Sequence, residues 1–429
     1  MQIFTNPPRA EWRTLTARPS IPLTDLEPLV IAIMDDVAER GDAALLDYAE
    51  RFDKAQLHAL QVSEQEFLAA ENDVAQDLKD AIHLAISNVR RFHEPQFTHS
   101  NIIETQAGVS CWRKSVPIQR VGLYIPGGTA PLFSTVMMLG VPADIAACPE
   151  RVLCTPPSSS GTVHPAILVT ARAVGIRTVF KVGGAQAIAA MTFGTETIPK
   201  VDKIFGPGNQ YVTLAKQIAQ RSGVAIDMPA GPSEVAVLAD DSCIPAFVAA
   251  DLLSQAEHGK DSQVILITTS KQLVEQVLAE IEVQLRTLPR EGIATEALDN
   301  SRALVFNDME TAMDFANEYA AEHLIIACEK AEELAEKVVN AGSVFLGNYS
   351  PEAAGDYASG TNHTLPNNGY ARAYSGVSVD SFVKKITFQH LTQEGIASLG
   401  AAVERLAEAE GLAAHKNAIT VRRMGRVAP

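Results

Sequence analysis

Gln255 and His258 stand three residues apart in the run Asp251-Leu-Leu-Ser-Gln-Ala-Glu-His. On a helix that spacing makes them neighbours, with Cβ atoms about 5–6 Å apart. An amide oxygen and an imidazole so placed could clasp a divalent cation; alone, the same pair equally suits solvated surface or capping groups. Glu322-His323 offers acid–base chemistry, since histidine titrates near working pH and can take the proton of an alcohol while the neighbouring carboxylate activates water. On residue type alone the pair reads as well as a solvated helix end leading into a strand. Three glycine junctions, Tyr124-Ile-Pro-Gly-Gly, Lys181-Val-Gly-Gly-Ala-Gln and Phe205-Gly-Pro-Gly-Asn, follow strand patterns and precede helical ones. Glycine lets backbone approach a ligand, and the next helix presents free N–H groups. None matches Gly-x-Gly-x-x-Gly, and each by itself reads as a turn that needs glycine.

These groups need elements to position them. Residues 25–93 read as helices, with breaks at Gly41 and Asp53, and Ile102–Ile118 reads as a hairpin of two strands. From Val121 short apolar runs alternate with longer amphipathic ones. The runs Val121–Ile125, Val152–Cys154, Thr178–Val182, Lys203–Phe205, Val224–Ile226, Val235–Leu238, Val264–Ile267, Leu304–Phe306, Leu324–Ala327 and Val344–Leu346 are expected as strands. Strands alternating with helices argue for parallel sheets covered on both faces. So many strands predict two Rossmann-like, doubly wound α/β units, with a helical N-terminal segment and a helical C-terminal tail. The expected division is an arm over 1–20, a main α/β domain over 21–120 and 235–375, a second α/β domain over 121–234, and a tail over 376–429. The turn Ala230-Gly231-Pro232 is the expected crossing point. In the tail, helices are expected over Gln393–Gly411 and Lys416–Met424, with Glu410 and His415 near their junction.

The charge balance of 35 Lys and Arg against 51 Asp and Glu, net −16, repels phosphate backbones and argues against a nucleic-acid partner. No stretch reaches the roughly 18 uninterrupted apolar residues of a membrane span, and no secretory signal is visible, so the cytoplasm is expected. The five cysteines, Cys111, Cys148, Cys154, Cys243 and Cys328, form no Cys-x-x-Cys pair. They read as small buried hydrophobes, with a catalytic thiol as the alternative.

The run Ile226-Asp-Met-Pro-Ala-Gly-Pro-Ser-Glu, followed at this distance by Asp251-Leu-Leu-Ser-Gln-Ala-Glu-His, closely resembles the signature of the histidinol dehydrogenase family. The resemblance extends to Arg120-Val-Gly-Leu-Tyr-Ile-Pro-Gly-Gly, Val182-Gly-Gly-Ala-Gln, Phe205-Gly-Pro-Gly-Asn, Ala321-Glu-His-Leu and Gly347-Asn-Tyr-Ser-Pro-Glu. It continues through Gly355-Asp-Tyr-Ala-Ser-Gly-Thr-Asn-His-Thr-Leu-Pro and Ala414-His-Lys-Asn-Ala. Asn367-Asn368, just downstream, is a minor departure from the usual family sequence.

The resemblance implies NAD-dependent oxidation of L-histidinol, through bound L-histidinaldehyde, to L-histidine. It places Glu322 and His323 as the catalytic pair, and one Zn²⁺ per subunit on Gln255, His258, Asp356 and His415. Without the family, Asp356 would read as a turn residue and His415 as a helix-terminus residue. Two imidazoles and two oxygens suit zinc, with manganese or cobalt as substitutes. Substrate contacts are implied for Ser233, His323, Glu410 and the ligand set, and NAD contacts for Tyr124, Gln186 and Asn209. His363 would line the pocket or serve the structure. The tail is implied to complete the neighbouring subunit's site in a homodimer. A sister dehydrogenase of the same superfamily, acting on another alcohol such as a sulfonated diol, is the competing reading; it would be expected to lack Glu410 and His415.

Overall fold

Two all-parallel sheets with the same winding form the larger of two units, residues 1–95 and 118–382; the computed structural model describes residues 1–19, 23–97, 101–127, 130–229 and 231–425. Gly128 of the first glycine junction, Ala230 of the expected crossing turn and the last four residues of the tail thus lie outside the described residues. The larger sheet runs Gln2–Thr5, Arg302–Val305, Gln263–Thr268, Glu234–Ala239, His323–Ala327, Ser343–Leu346. The smaller runs Thr178–Lys181, Glu150–Thr155, Arg120–Tyr124, Lys203–Phe205, Ala225–Ile226. Leaving out the N-terminal edge strand, each sheet starts in the middle, winds outward on one side, then crosses to the other. That is the doubly wound pattern expected from the sequence.

Continuous apolar strands follow from this arrangement, because helices cover both faces. All six residues of Glu234–Ala239 are buried; Val235, Val237 and Ala239 enter one core, and Ala236 and Leu238 enter the other. The ten expected strands are all present within a residue or two of their expected ends. Two others, Gln2–Thr5 and Val383–Leu391, were not anticipated. Neither has a continuous apolar run, and each becomes a strand by pairing with a partner distant in sequence.

The expected domain division also differs in two places. The helix Leu23–Arg40, assigned to the main domain, buries Val30, Met34 and Val37 in one cluster with Ile188 and Ala215 from helices of the smaller sheet. Its apolar face says that it must be covered, but not by which sheet. The hairpin Ile103–Gln106 and Val109–Pro117, assigned to the same domain, pairs instead with Val383–Leu391. With the helices Gln393–Ala409 and Ala413–Arg423 it forms the second unit, residues 96–117 and 383–429. Within that unit Trp112 stacks on Phe388 and Thr420 Oγ1 donates to Glu404 at 2.6 Å. Among the described residues no helix is long and apolar enough to cross a membrane.

Candidate active site

Strand length and helix length bring the acid–base and metal-ligand candidates together. The six-residue strand Glu234–Ala239 extends about 20 Å. The 12-residue crossover helix Pro245–Ala256 runs back about 18 Å, which returns Gln255 to the level of Glu234. Pro245 starts this helix at a position where no N–H is needed. His323 opens the neighbouring strand and Glu322 precedes it. The cluster therefore lies at the amino ends of the strands, opposite to the usual position of ligands in open α/β sheets.

One residue organises the cluster. The Glu234 main-chain N–H donates to Glu322 Oε2 at 3.0 Å. Its carbonyl oxygen accepts from Gln255 Nε2 at 3.1 Å and faces His323 Nδ1, also at 3.1 Å. Gln255 Nε2 also lies 3.0 Å from Nδ1; with the Nδ1 hydrogen directed at the carbonyl, which can only accept, Nε2 keeps the lone pair in the neutral ring. His323 Nε2 has no hydrogen-bond partner and lies 3.4 Å from Asp356 Oδ1. This is the tautomer that a proton acceptor needs.

A short helix, Glu352–Tyr357, supplies the opposing carboxylates. Glu352 and Asp356 stand four apart and share a face. Gly355 lets this helix close on the sheet, for a Cβ there would meet the Phe345 ring at 2.5 Å. His363 fixes the helix end: its Nδ1 donates to the Asp356 carbonyl at 2.9 Å and its Nε2 meets Thr135 Oγ1 at 3.2 Å. Ligand atoms of His323, Glu352 and Asp356 all lie within 4.8 Å of one another.

Crowded carboxylates in a dry site distort each other's protonation. Burial pushes Glu322 and Glu352 up to about 8. Burial opposes a charge on His323, but with no cation among them the carboxylates of Glu352, Asp356 and Glu322 outweigh it and bring its pKa up to about 10. A divalent cation on those carboxylates would offset their pull and leave the neutral ring that a proton acceptor needs. Burial likewise works to raise Asp356, yet its contact with His323 brings it below the ordinary carboxylate value. With Glu322, Glu352 and Asp356 all ionised the site would carry more negative charge than His323 alone balances, so the ionised form of the two glutamates calls for a further cation. Gln255 Oε1, Asp356 Oδ1 and Glu352 Oε2 are buried acceptors without partners, and His258 at the end of the Gln255 helix lies within electrostatic reach of Asp356 and His323. Unpaired buried acceptors cost free energy unless something meets them. Two of the three belong to expected metal ligands, so the donor set fits a divalent cation.

The expected nucleotide residues also converge. Tyr124, Gln186 and Asn209 line one cavity of about 1040 Å³ in the larger unit, together with Tyr48, Phe52, Asp53, Pro156 and Ser158. It opens at the carboxyl ends of Arg120–Tyr124 and Lys203–Phe205, the two strands where the winding of the smaller sheet reverses. Tyr124 Oη accepts the Gly184 N–H at 3.1 Å, and Asn209 caps the helix Gln210–Arg221 by accepting the Val212 N–H at 3.1 Å. Gly206, at φ 129°, passes so close to the Tyr124 carbonyl that a Cβ would lie 2.1 Å from it. The lining is mostly apolar with a few polar groups, the usual composition of a cofactor cleft.

Ser233 is half-buried just before the organising strand, and its carbonyl accepts the Gln263 N–H at 3.1 Å. Glu410 and His415 are exposed in the second unit, at the end of Gln393–Ala409 and within Ala413–Arg423. Asp356 is helical rather than a turn residue. Sequence reasoning gave no role to Glu352, although it ends the quoted run Gly347-Asn-Tyr-Ser-Pro-Glu, nor to Glu234, which ends the signature run. Asn367, in the stretch that departs from the family, grips Gly231 by a pair of hydrogen bonds of 2.6 and 3.0 Å. Four of the five cysteines are buried, and burial pushes the thiols of Cys148 and Cys243 up to about 11 and those of Cys154 and Cys328 to about 12. None of these four is poised as a thiolate.

Comparison with known proteins agrees with this geometry. The family model described as histidinol dehydrogenase matches residues 16–423. The histidinol dehydrogenase of Bacteroides thetaiotaomicron is 56% identical over 422 residues, 98% of this chain and 99% of that protein. That of Escherichia coli is 51% identical over 413 residues, 96% of this chain and 94% of that protein. The crystal structure of histidinol dehydrogenase from Elizabethkingia anophelis superposes with a TM-score of 0.97 at 57% identity, covering 99% of this chain and 98% of that one. The chain belongs to the histidinol dehydrogenase family, oxidoreductases of histidine biosynthesis.

Proposed function

We propose that this chain oxidises L-histidinol to L-histidine in two NAD-dependent steps at one site. The observation that carries the reading is the free Nε2 of His323, presented by the Glu234 carbonyl beside the unpartnered oxygens of Asp356 and Gln255. In the first step His323 Nε2 takes the hydroxyl proton while the carbinol carbon gives hydride to NAD⁺, leaving the aldehyde and NADH. In the second, Glu322 takes a proton from water as its oxygen adds to the aldehyde carbon. The protonated His323 returns its proton to the aldehyde oxygen as the hydrate forms. The hydrate then gives hydride to a second NAD⁺, His323 takes a hydroxyl proton again, and the acid so formed releases its remaining proton to solvent. The products are the carboxylate and a second NADH.

Gln255, His258 and Asp356 would hold zinc, with His415 from a second copy of the chain as the fourth ligand. Zinc there would balance the site's negative charge and hold the imidazole and amino nitrogens of histidinol, a templating role. Tyr124, Gln186 and Asn209 would contact NAD, and Ser233 and Glu410 the substrate. The working form is then a homodimer with shared sites, acting in the cytoplasm. Enclosing the aldehyde protects it from side reactions. The test is a turnover assay with a carbonyl trap: two NADH per histidine are expected with the trap present, and consumption of most of the intermediate by the trap would overturn the single-site reading.

A further inference from the structure

Arg18 lies far from Glu322 and His323 in sequence and touches neither side chain, yet it anchors the residue that holds both. Its guanidinium donates to both carboxylate oxygens of Glu234, each at 2.9 Å, and to the carbonyls of Thr16 at 2.9 Å and Tyr319 at 2.6 Å. It also stacks on the Tyr319 ring, 3.8 Å from the centroid. The two side chains are 6% and 0% exposed, so this is a buried ion pair. A buried pair of this kind adds little net stability compared with an apolar pair, because desolvation offsets its attraction. What it does supply is fixed geometry, since the planar guanidinium fork meets a carboxylate in one orientation.

That geometry is passed to the site. Glu234 lies one residue before Val235, the first rung shared with the strand His323–Ala327, so the ladder on that side does not hold it. Its side chain is held by Arg18 and by the Asn368 N–H at 2.5 Å. Its main chain is then wholly committed to the site: N–H to Glu322, and C=O to Gln255 and His323. A rotation of Glu234 would misplace three groups together.

We propose that Arg18, on the N-terminal segment, is a positioning residue for the oxidation, acting through the Glu234 side chain to aim Glu322, His323 and Gln255. The proposal rests on the reading of Glu322 and His323 as the acid–base pair. Lysine keeps the charge but cannot form the fork, so Arg18→Lys isolates the geometry. The double variant Arg18→Met/Glu234→Gln removes both charges and leaves no unpaired ion. In both, kcat should fall about 10- to 100-fold, as expected for misplaced reacting groups. KM for NAD⁺ should stay within about twofold, because the cavity lies on the other sheet.

Combined with His323→Ala, either change should cost much less than it does alone, because groups acting as a unit are not additive. Multiplying losses, a kcat within about twofold of wild type in a folded variant, or loss of folding in both variants would each overturn the proposal in favour of a purely structural role. If His323→Ala alone kept full kcat, the reading of the catalytic pair would fail and this proposal with it. If His323→Ala were inactive while both Arg18 variants were unimpaired, only the positioning role would fail.

Discussion

Glu322 and His323, adjacent in sequence, are both held by the main chain of Glu234, one through its N–H at 3.0 Å and the other through its carbonyl at 3.1 Å. A single residue thereby orients the two side chains that the proposed chemistry uses in different steps.

The two roles separate by half-reaction. Glu322→Gln keeps a side-chain oxygen able to accept the Glu234 N–H but cannot take a proton. It should slow aldehyde oxidation by about 10²–10⁴-fold, the range of a general base, and alcohol oxidation much less. His323→Ala should slow both. Equal losses in the two half-reactions for Glu322→Gln, measured by single-turnover kinetics from each substrate, would contradict the assignment. Alanine at each of the five cysteines should leave substantial activity.

Metal content and activity should move together. Exhaustive chelation, or Asp356→Ala or His258→Ala, is expected to remove bound metal and turnover while the melting temperature changes little, since the scaffold is already packed. Glu352→Gln, which keeps the shape but not the charge, should weaken metal retention about 10- to 100-fold, as for a group beside the ligands. Elemental analysis alongside the assay decides this; full activity without metal would sink the ligand assignment.

Nucleotide contacts should appear in KM for NAD⁺ and not in metal content. Tyr124→Phe removes the oxygen that accepts the Gly184 N–H. Asn209→Ala removes a helix cap as well, which should cost about 1 kcal/mol of stability. A raised KM for NAD⁺ with unchanged KM for histidinol is the expected pattern for both.

Lys216 and Asp227 form a buried ion pair. Asp227 also accepts the Gly206 N–H at 2.8 Å, and Lys216 donates to the Gly206 carbonyl at 2.8 Å. Asp227→Ala strands a buried ammonium and an unpaired N–H, and denaturant unfolding should show a loss of about 3–5 kcal/mol. A loss under about 1 kcal/mol, the scale of an exposed pair, would mean that water reaches the site.

Mixing two inactive variants tests the shared site. With His323→Ala and His415→Ala subunits exchanging freely, each mixed dimer holds one site with both defects and one with neither. Activity should recover to about a quarter of wild type for random two-fold pairing. No recovery despite proven exchange would show that His415 serves its own chain.

Local pattern was enough for much of this protein. The apolar runs of the two sheets, the crossover helix between Pro245 and Gly259 and the paired spacing of Gln255 and His258 all follow from periodicity and from residues that start or stop helices. The quoted motifs led to the family because the groups that meet ligands cluster in short runs. Contacts made across the chain left no such trace. Gln2–Thr5 and Val383–Leu391 are strands only because partners about 300 and 270 residues away complete their ladders. Glu352 reads as an ordinary charged residue until a six-residue helix sets it beside His323, where burial and the neighbouring carboxylates alter its chemistry. Arg18 sits in a segment with no periodicity, and its partner Glu234 is 216 residues away. Which nitrogen of His323 is free depends on a carbonyl from another strand, and only the folded chain brings that carbonyl within 3.1 Å.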